Sequence, residues 1–169
     1  MAARLFFALF PPAEAARELE RWARQVAGET RGKPVRAAQI HLTLVFLGEA
    51  DAGRAVNAAR RVSGGAFELP LDSARYWKHN QIVWAGPARA PAALERLVAD
   101  LQLELYRAEF ILERRPFAAH VTLVRKAREP AALPPLPPIS WSVSEMLLMQ
   151  SQLARAGSAY AVRERFALS

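Results

Sequence analysis

His41-Leu42-Thr43-Leu44-Val45 returns in the second half of the chain as His120-Val121-Thr122-Leu123-Val124. The chain holds 3 histidines, and its threonines are Thr30, Thr43 and Thr122, so two of each residue fall into one shared pattern. Random placement would do this on the order of once in a thousand such chains. A β-strand turns successive side chains to opposite faces. In each copy the imidazole and the hydroxyl therefore share one face, while Leu42 and Leu44, or Val121 and Leu123, point to the other. One copy alone reads as an ordinary half-buried strand on which a β-branched Thr is expected. Two copies predict a pair of strands, each with one apolar face and one that carries chemistry.

Working outward from the motifs, Leu5 to Phe10 reads as a first strand. Pro11-Pro12 suits a helix start, and Ala16, Leu19, Trp22, Ala23 and Val26 recur with helical period up to a stop between Gly28 and Pro34. Val35 to Leu47 reads as an extended region that carries the first motif and closes at Gly48, followed by a helix over Ala52 to Val62 ended by Gly64-Gly65. Strand-like runs follow at Phe67 to Leu71, Ala74 to Trp77 and Ile82 to Ala85, the last two forming a hairpin across Lys78-His79-Asn80-Gln81. Leu94, Leu97, Val98, Leu101 and Leu105 line one stripe of a third helix. Glu109 to Leu112 reads as a short strand, and Phe117 to Lys126 carries the second motif. The five prolines between Pro130 and Pro138 require a connector, since proline gives no donor to a ladder or a helix interior. Trp141 to Met149 and Tyr160 to Leu168 complete the chain as two strands joined across Ala156-Gly157-Ser158.

That order predicts an α+β fold: one domain over residues 1–169, built as two pseudo-symmetric lobes of antiparallel sheet with helices on the outer faces. The motif strands meet side by side in an active-site cleft between the lobes, a symmetry inferred from the motifs alone.

With 169 residues, 52% hydrophobic and 23% charged, the chain can bury a substantial core. Its net charge of +7 favours an anionic partner, nucleic acid first. The absence of cysteine removes disulfides, thiolate nucleophiles and Cys-based metal sites. The N-terminal apolar run is too short for a secretory signal, being interrupted by Pro11, Pro12 and Glu14, and no apolar stretch is long enough to span a bilayer. A cytoplasmic monomer with no membrane partner is the expectation.

Two imidazoles and two hydroxyls on one cleft can serve in-line displacement at phosphorus. With a reference pKa near 6.5, one His can be neutral and the other protonated, a base for the attacking water and an acid for the leaving alkoxide. Thr43 and Thr122 can donate to the non-bridging oxygens. Arg125 is a good bidentate partner for phosphate, although its odd offset from His120 demands a twist or bulge before it can reach the same face. Metal chemistry lacks support, with no HExxH and no acidic residue at ligand spacing beside either His, and Gly-x-Ser-x-Gly, P-loop and dinucleotide fingerprints are absent. His79 sits in a turn without a threonine two residues on and reads as surface. Phe7, Phe46, Trp77 and Tyr160 are candidates for stacking on a base, each more often core than contact.

Taken together, the paired His-[Leu/Val]-Thr-Leu motifs, Arg4-Leu5-Phe6-Phe7-Ala8, Phe46-Leu47-Gly48-Glu49, Val83-Trp84-Ala85-Gly86, Arg115-Pro116-Phe117, Tyr160 and Phe166 resemble the 2H phosphoesterases, and within them the bacterial RNA 2',3'-cyclic phosphodiesterases, also called 2'-5' RNA ligases. The resemblance spans essentially the whole chain. It implies cofactor- and metal-independent hydrolysis of a 2',3'-cyclic phosphate on an RNA end or nucleotide to a 2'-phosphomonoester. His41 would protonate the departing 3' oxygen, His120 would activate water, and Thr43, Thr122 and Arg125 would hold the phosphate. The reverse step would be 2'-5' ligation. Ala119 stands where many relatives have proline, a difference in strand entry. A phosphodiesterase for another small cyclic phosphate, and a non-catalytic module that binds RNA ends, use the same residues and remain as alternatives.

Overall fold

The first strand alternates as its sequence demands: Leu5, Phe7 and Leu9 point into the main core, while Phe6 and Ala8 form a second cluster with Leu147 and Met149 on the other side. The structure, a computed structural model, describes residues 3–154 and 157–169. Strand β1 (Ala3–Leu9) leads through α1 (Ala13–Thr30), the two-residue β2 (Lys33–Pro34) and a 3-10 turn (Ala37–Gln39) to the motif strand β3 (Leu42–Ala50). After α2 (Ala52–Ala59) and β4 (Phe67–Glu68), the hairpin β5 (Ser73–Trp77) and β6 (Ile82–Gly86) leads through α3 (Ala92–Arg107) to the second motif strand β7 (Val121–Arg125). Strands β8 (Ser142–Val143), β9 (Glu145–Ala154) and β10 (Gly157–Ala167) follow.

One eight-stranded sheet runs in the order β10-β9-β1-β3-β7-β6-β5, with β2 added to β7, and β4 pairs with β8 separately. Each half thus contains a strand, a helix and a motif strand that returns antiparallel beside the first, β1 with β3 and β6 with β7. The halves meet where β3 and β7 pair through a single register position, Leu42 opposite Val121. Strand β2 adds a second link between the halves, with Lys33 and Pro34 opposite Arg125 and Val124 of β7. The architecture is the α+β, two-lobed, mainly antiparallel arrangement expected. The helices cover the face to which Leu42, Leu44, Val121 and Leu123 point, burying Leu19 and Trp22 of α1 and the five-residue stripe of α3 in one core.

The proline-rich connector is tied to this layer because Trp22 Nε1 donates to the carbonyls of Pro134 and Pro135, both at 3.2 Å. With Leu133, Leu136 and Ile139 packed on the core, the connector closes over α1.

Several boundaries differ from the sequence reading. The extended region expected over Val35 to Leu47 is broken by the 3-10 turn, and β3 runs on through Gly48 to Ala50. Gly48 adopts φ +70° beside a bulge opposite Leu5 and Phe6, so it bends the strand where it was expected to close it. No strand forms over Glu109 to Leu112. Glu109 takes a left-handed conformation (φ 67°) and Phe110 N–H bonds back to the Leu105 carbonyl at 3.0 Å, which uses this segment to finish α3. The second helix stops at Ala59 and unwinds through tighter bonds from Arg61 to Ala58 and Val62 to Ala59. Of Phe67 to Leu71 only the first two residues are strand, Leu69 and Leu71 being spent on the core. Trp141 to Met149 divides into β8 and β9. Of the junction expected across Ala156-Gly157-Ser158, Ala156 lies outside the described residues, and Gly157 and Ser158 already belong to β10, which pairs them with Ala154 and Leu153 and so starts three residues before Tyr160.

Candidate active site

The single β3–β7 register position decides how the motif side chains meet. One residue to either side of the Leu42–Val121 pair, His41 faces Thr122 and Thr43 faces His120, with all four on the face away from the helices. They line one cavity of about 360 Å³ together with Gln39, Asn80 and Arg125. The sequence-predicted residues His41, Thr43, His120, Thr122 and Arg125 are therefore brought together.

Arg125 reaches this face by a bulge. Trp84 of β6 pairs with Thr122, but Val83 pairs with Val124, so Leu123 is an extra residue in the ladder. The same irregularity follows the first motif, where Ala8 pairs with Thr43 and Phe7 with Val45, leaving Leu44 extra. Past an inserted residue the alternation of faces is reset. Both motif strands accordingly begin with the same sequence of burial: buried, half-buried, buried, buried, exposed. The fifth place in one strand is Arg125 and in the other Phe46.

Backbone groups hold both imidazoles in the same way. His41 Nδ1 lies 2.7 Å from the Gln39 carbonyl and His120 Nδ1 lies 2.8 Å from the Ala118 carbonyl. A carbonyl only accepts, so each Nδ1 carries the proton and each Nε2 is left as the working nitrogen. The Thr43 hydroxyl lies 3.1 Å from His41 Nε2 and donates to it. Burial lowers the pKa of both imidazoles below the ordinary value, the backbone carbonyls partly offset this, and the positive charge of Arg125 lowers both further. His41 also feels His120.

Aromatic rings wall the two imidazoles differently. Phe6, Phe10 and Tyr160 surround His41 with ring centres at 5.2, 5.3 and 5.4 Å. Trp77 and Trp84 lie edge-on to His120 at 4.7 and 6.2 Å. Of the candidate stacking residues, Tyr160 and Trp77 thus touch the site, Phe46 is 44% exposed nearby, and Phe7 is fully buried in the helix-side core. The parity of β1 is the reason: with Phe7 inward, Phe6 takes the His41 face. Phe6, Phe10 and Trp84 were missed, although the alternation of β1 carried the signal for Phe6. The two orienting carbonyls carry no side-chain signature and could not be read from residue identity. His79 is exposed, 5.8 Å from Trp77. Among the described residues no three His, Cys, Asp or Glu come together as a metal site.

A family model described as "LigT like Phosphoesterase" matches residues 9–84. The RNA 2',3'-cyclic phosphodiesterase of Escherichia coli strain K12 is 37% identical over 171 residues, covering 98% of this chain and 97% of that protein. The chain belongs to the LigT-like phosphoesterases of the 2H superfamily. A second relative in the family, the RNA 2',3'-cyclic phosphodiesterase of Thermus thermophilus, is 32% identical over 179 residues, covering 98% of this chain and 90% of that protein. The crystal structure of E. coli LigT complexed with 3'-AMP superposes with a TM-score of 0.92 at 35% identity, covering 100% of this LigT-like chain and 99% of the other.

Proposed function

We propose that this LigT-like phosphoesterase hydrolyses 2',3'-cyclic phosphates on RNA ends or nucleotides to 2'-phosphomonoesters, with His41 and His120 as the acid–base pair and without a metal. The observation that carries the proposal is the single cavity of about 360 Å³ lined by both imidazoles, both threonines and the Arg125 guanidinium. In-line attack needs its base and its acid on opposite sides of phosphorus. His120 takes a proton as water oxygen bonds to phosphorus, the P–O3' bond breaks, and His41 delivers its proton to the 3' oxygen. Thr43, Thr122 and Arg125 hold the non-bridging oxygens, where donors aimed at developing charge contribute most.

The ring environments support this division of roles. His41, boxed by Phe6, Phe10 and Tyr160, suits the oxygen that stays attached to a ribose, whereas His120 faces the more open side from which water arrives. The phosphate itself opposes the effect of Arg125, because an anion between the rings favours their charged forms. Substrate binding thereby loads the proton that the departing oxygen needs. The same groups in the same roles give 2'-5' ligation when a 5'-hydroxyl takes the place of water, and run in reverse they cleave that linkage back to the cyclic phosphate.

A defined oligonucleotide ending in a 2',3'-cyclic phosphate, incubated with EDTA present, tests the reading. The expected product is the 2'-phosphomonoester at an unchanged rate. A 3'-phosphate, or loss of turnover on chelation, overturns it. A parallel assay with mononucleotide cyclic phosphates separates an RNA-end substrate from a small cyclic phosphate, and binding without turnover would identify an RNA-end-binding module.

A further inference from the structure

Lys33 stands directly opposite Arg125 in the β2–β7 ladder. Opposed residues of an antiparallel pair present their side chains to one face, with Cα atoms about 4.5–5.5 Å apart. Lys33 therefore shares the face on which Arg125 lines the active-site cavity. The alternation of β2 agrees, since Val35, two residues on, lines the same cavity. From Val35 through Gln39 to His41 the chain forms one wall of that cavity, and Lys33 stands at the end of the wall away from His41.

Two chain reversals bring further cations to this end. The Arg128 amide donates to the Thr30 carbonyl at 2.8 Å, which ties the segment after β7 to the end of α1. A Cβ on Gly32 would strike Val124 Cγ1 and lie 2.9 Å from the Arg125 carbonyl oxygen, so glycine lets the two backbones approach this closely. On the other side the Tyr76 hydroxyl donates to the Ala127 carbonyl and the Ala127 amide to the Gln81 carbonyl, both at 2.9 Å. Residues 29–36 and 124–129 carry six cations, Arg31, Lys33, Arg36, Arg125, Lys126 and Arg128, against Glu29 and Glu129, and all of these are exposed. Among the described residues none of the six cations is in an ion pair. Arg31, just past the end of α1, suits the helix dipole. Lys126 has no such local reason: its backbone is left-handed, φ 53°, a conformation that glycine or asparagine adopts at less cost. Like charges gathered in this way repel one another, and a polyanion laid across them relieves the repulsion.

We propose that this cationic rim holds the phosphates 5' to the cyclic one, which makes a 5'-extended single strand, and not a mononucleotide, the preferred substrate. The inference rests on the acid–base reading above, which places the terminal ribose at His41. That ribose carries the cyclic phosphate on its 2' and 3' oxygens and the next phosphodiester on its 5' oxygen. With the first phosphate at Arg125 and the ribose against the wall that starts at His41, the next phosphodiester lies along that wall toward Lys33, and Lys126 and Arg128 continue the track. Ammonium and guanidinium groups of this kind fix the position of a strand without reading its bases.

The test compares wild type with Lys33→Gln/Lys126→Gln and with a charge-matched control, Arg17→Gln/Arg96→Gln, on the exposed sides of α1 and α3. The substrates are a mononucleotide 2',3'-cyclic phosphate and a pentaribonucleotide that ends in one. Wild type is expected to favour the pentamer in kcat/KM. The rim variant should lose about tenfold on the pentamer, through KM, keep close to the wild-type rate on the mononucleotide, and flatten the plot of log KM against log salt by about 0.7 for each phosphate contact removed. The control variant should do none of these. Equal losses on both substrates, an unchanged salt slope, or the same loss in the control overturn the rim. So does binding to phosphatidylserine vesicles that the rim variant abolishes while its pentamer kinetics stay at wild type, which would assign the cations to a membrane. A wild type inactive on both substrates brings down the catalytic reading instead. The affinity of the same pentamer, measured by fluorescence anisotropy at several salt concentrations, then decides the rim by the same difference in slope.

Discussion

His41 and His120 differ from a surface histidine in what holds them. Each donates its Nδ1 proton to a carbonyl two residues earlier, so ring orientation is set by the backbone and survives changes in most side chains. Replacement of either by alanine is expected to lower kcat on a cyclic-phosphate substrate by about a hundredfold or more, the usual contribution of a positioned acid or base, with an unchanged far-ultraviolet circular dichroism spectrum. The pH profile follows from the direction of the pKa shifts. Burial and Arg125 push both imidazoles below their ordinary value, so protonation of the base and deprotonation of the acid both occur at lower pH. The bell of kcat/KM is then centred on the acid side of about 6.5, the free imidazole value. Arg125→Gln removes a positive charge felt by both rings, so both limbs should move to higher pH as activity falls. Limbs that stay in place would show that Arg125 does not share their field.

The two bulges are the decisive devices at the scale of single elements. A regular strand would turn Arg125 away from His120. Leu123, inserted in the ladder opposite β6, resets the alternation and brings the cation to the phosphate. The sequence showed the wrong parity and the need for a bulge, but a bulge is a property of two paired strands and is invisible in either alone. Strand entry is controlled by a close approach: a Cβ on Gly86 would meet the Ala119 carbonyl oxygen at 2.6 Å and the Trp84 ring at 3.1 Å. Gly86→Ala must therefore displace the backbone that carries His120. The expected result is a loss of kcat at least as large in proportion as any fall in Tm, measured by steady-state kinetics and thermal melting. Full activity would mean that the segment before the second motif relaxes without moving the imidazole.

For the molecule as a whole, the net charge of +7 acts on chain length of the substrate. Each phosphate contacted in a single strand contributes a slope of about −0.7 in log affinity against log salt. KM for an oligonucleotide with a cyclic end should therefore rise more steeply with salt than KM for a mononucleotide cyclic phosphate, and equal slopes would confine recognition to the terminal phosphate.

The amino-acid order by itself determined the strand character of both motifs, the shared face of each His and Thr, the three helices and the apolar faces they cover. These follow from periods of 2 and 3.6, which are local. Only the tertiary structure decided that β3 and β7 meet at Leu42 and Val121, that His41 therefore faces Thr122, that Phe6 and not Phe7 reaches the site, and that Glu109 ends a helix where a strand was expected. Pairing register, bulges and chain reversals depend on contacts between residues far apart in sequence, and no local period records them.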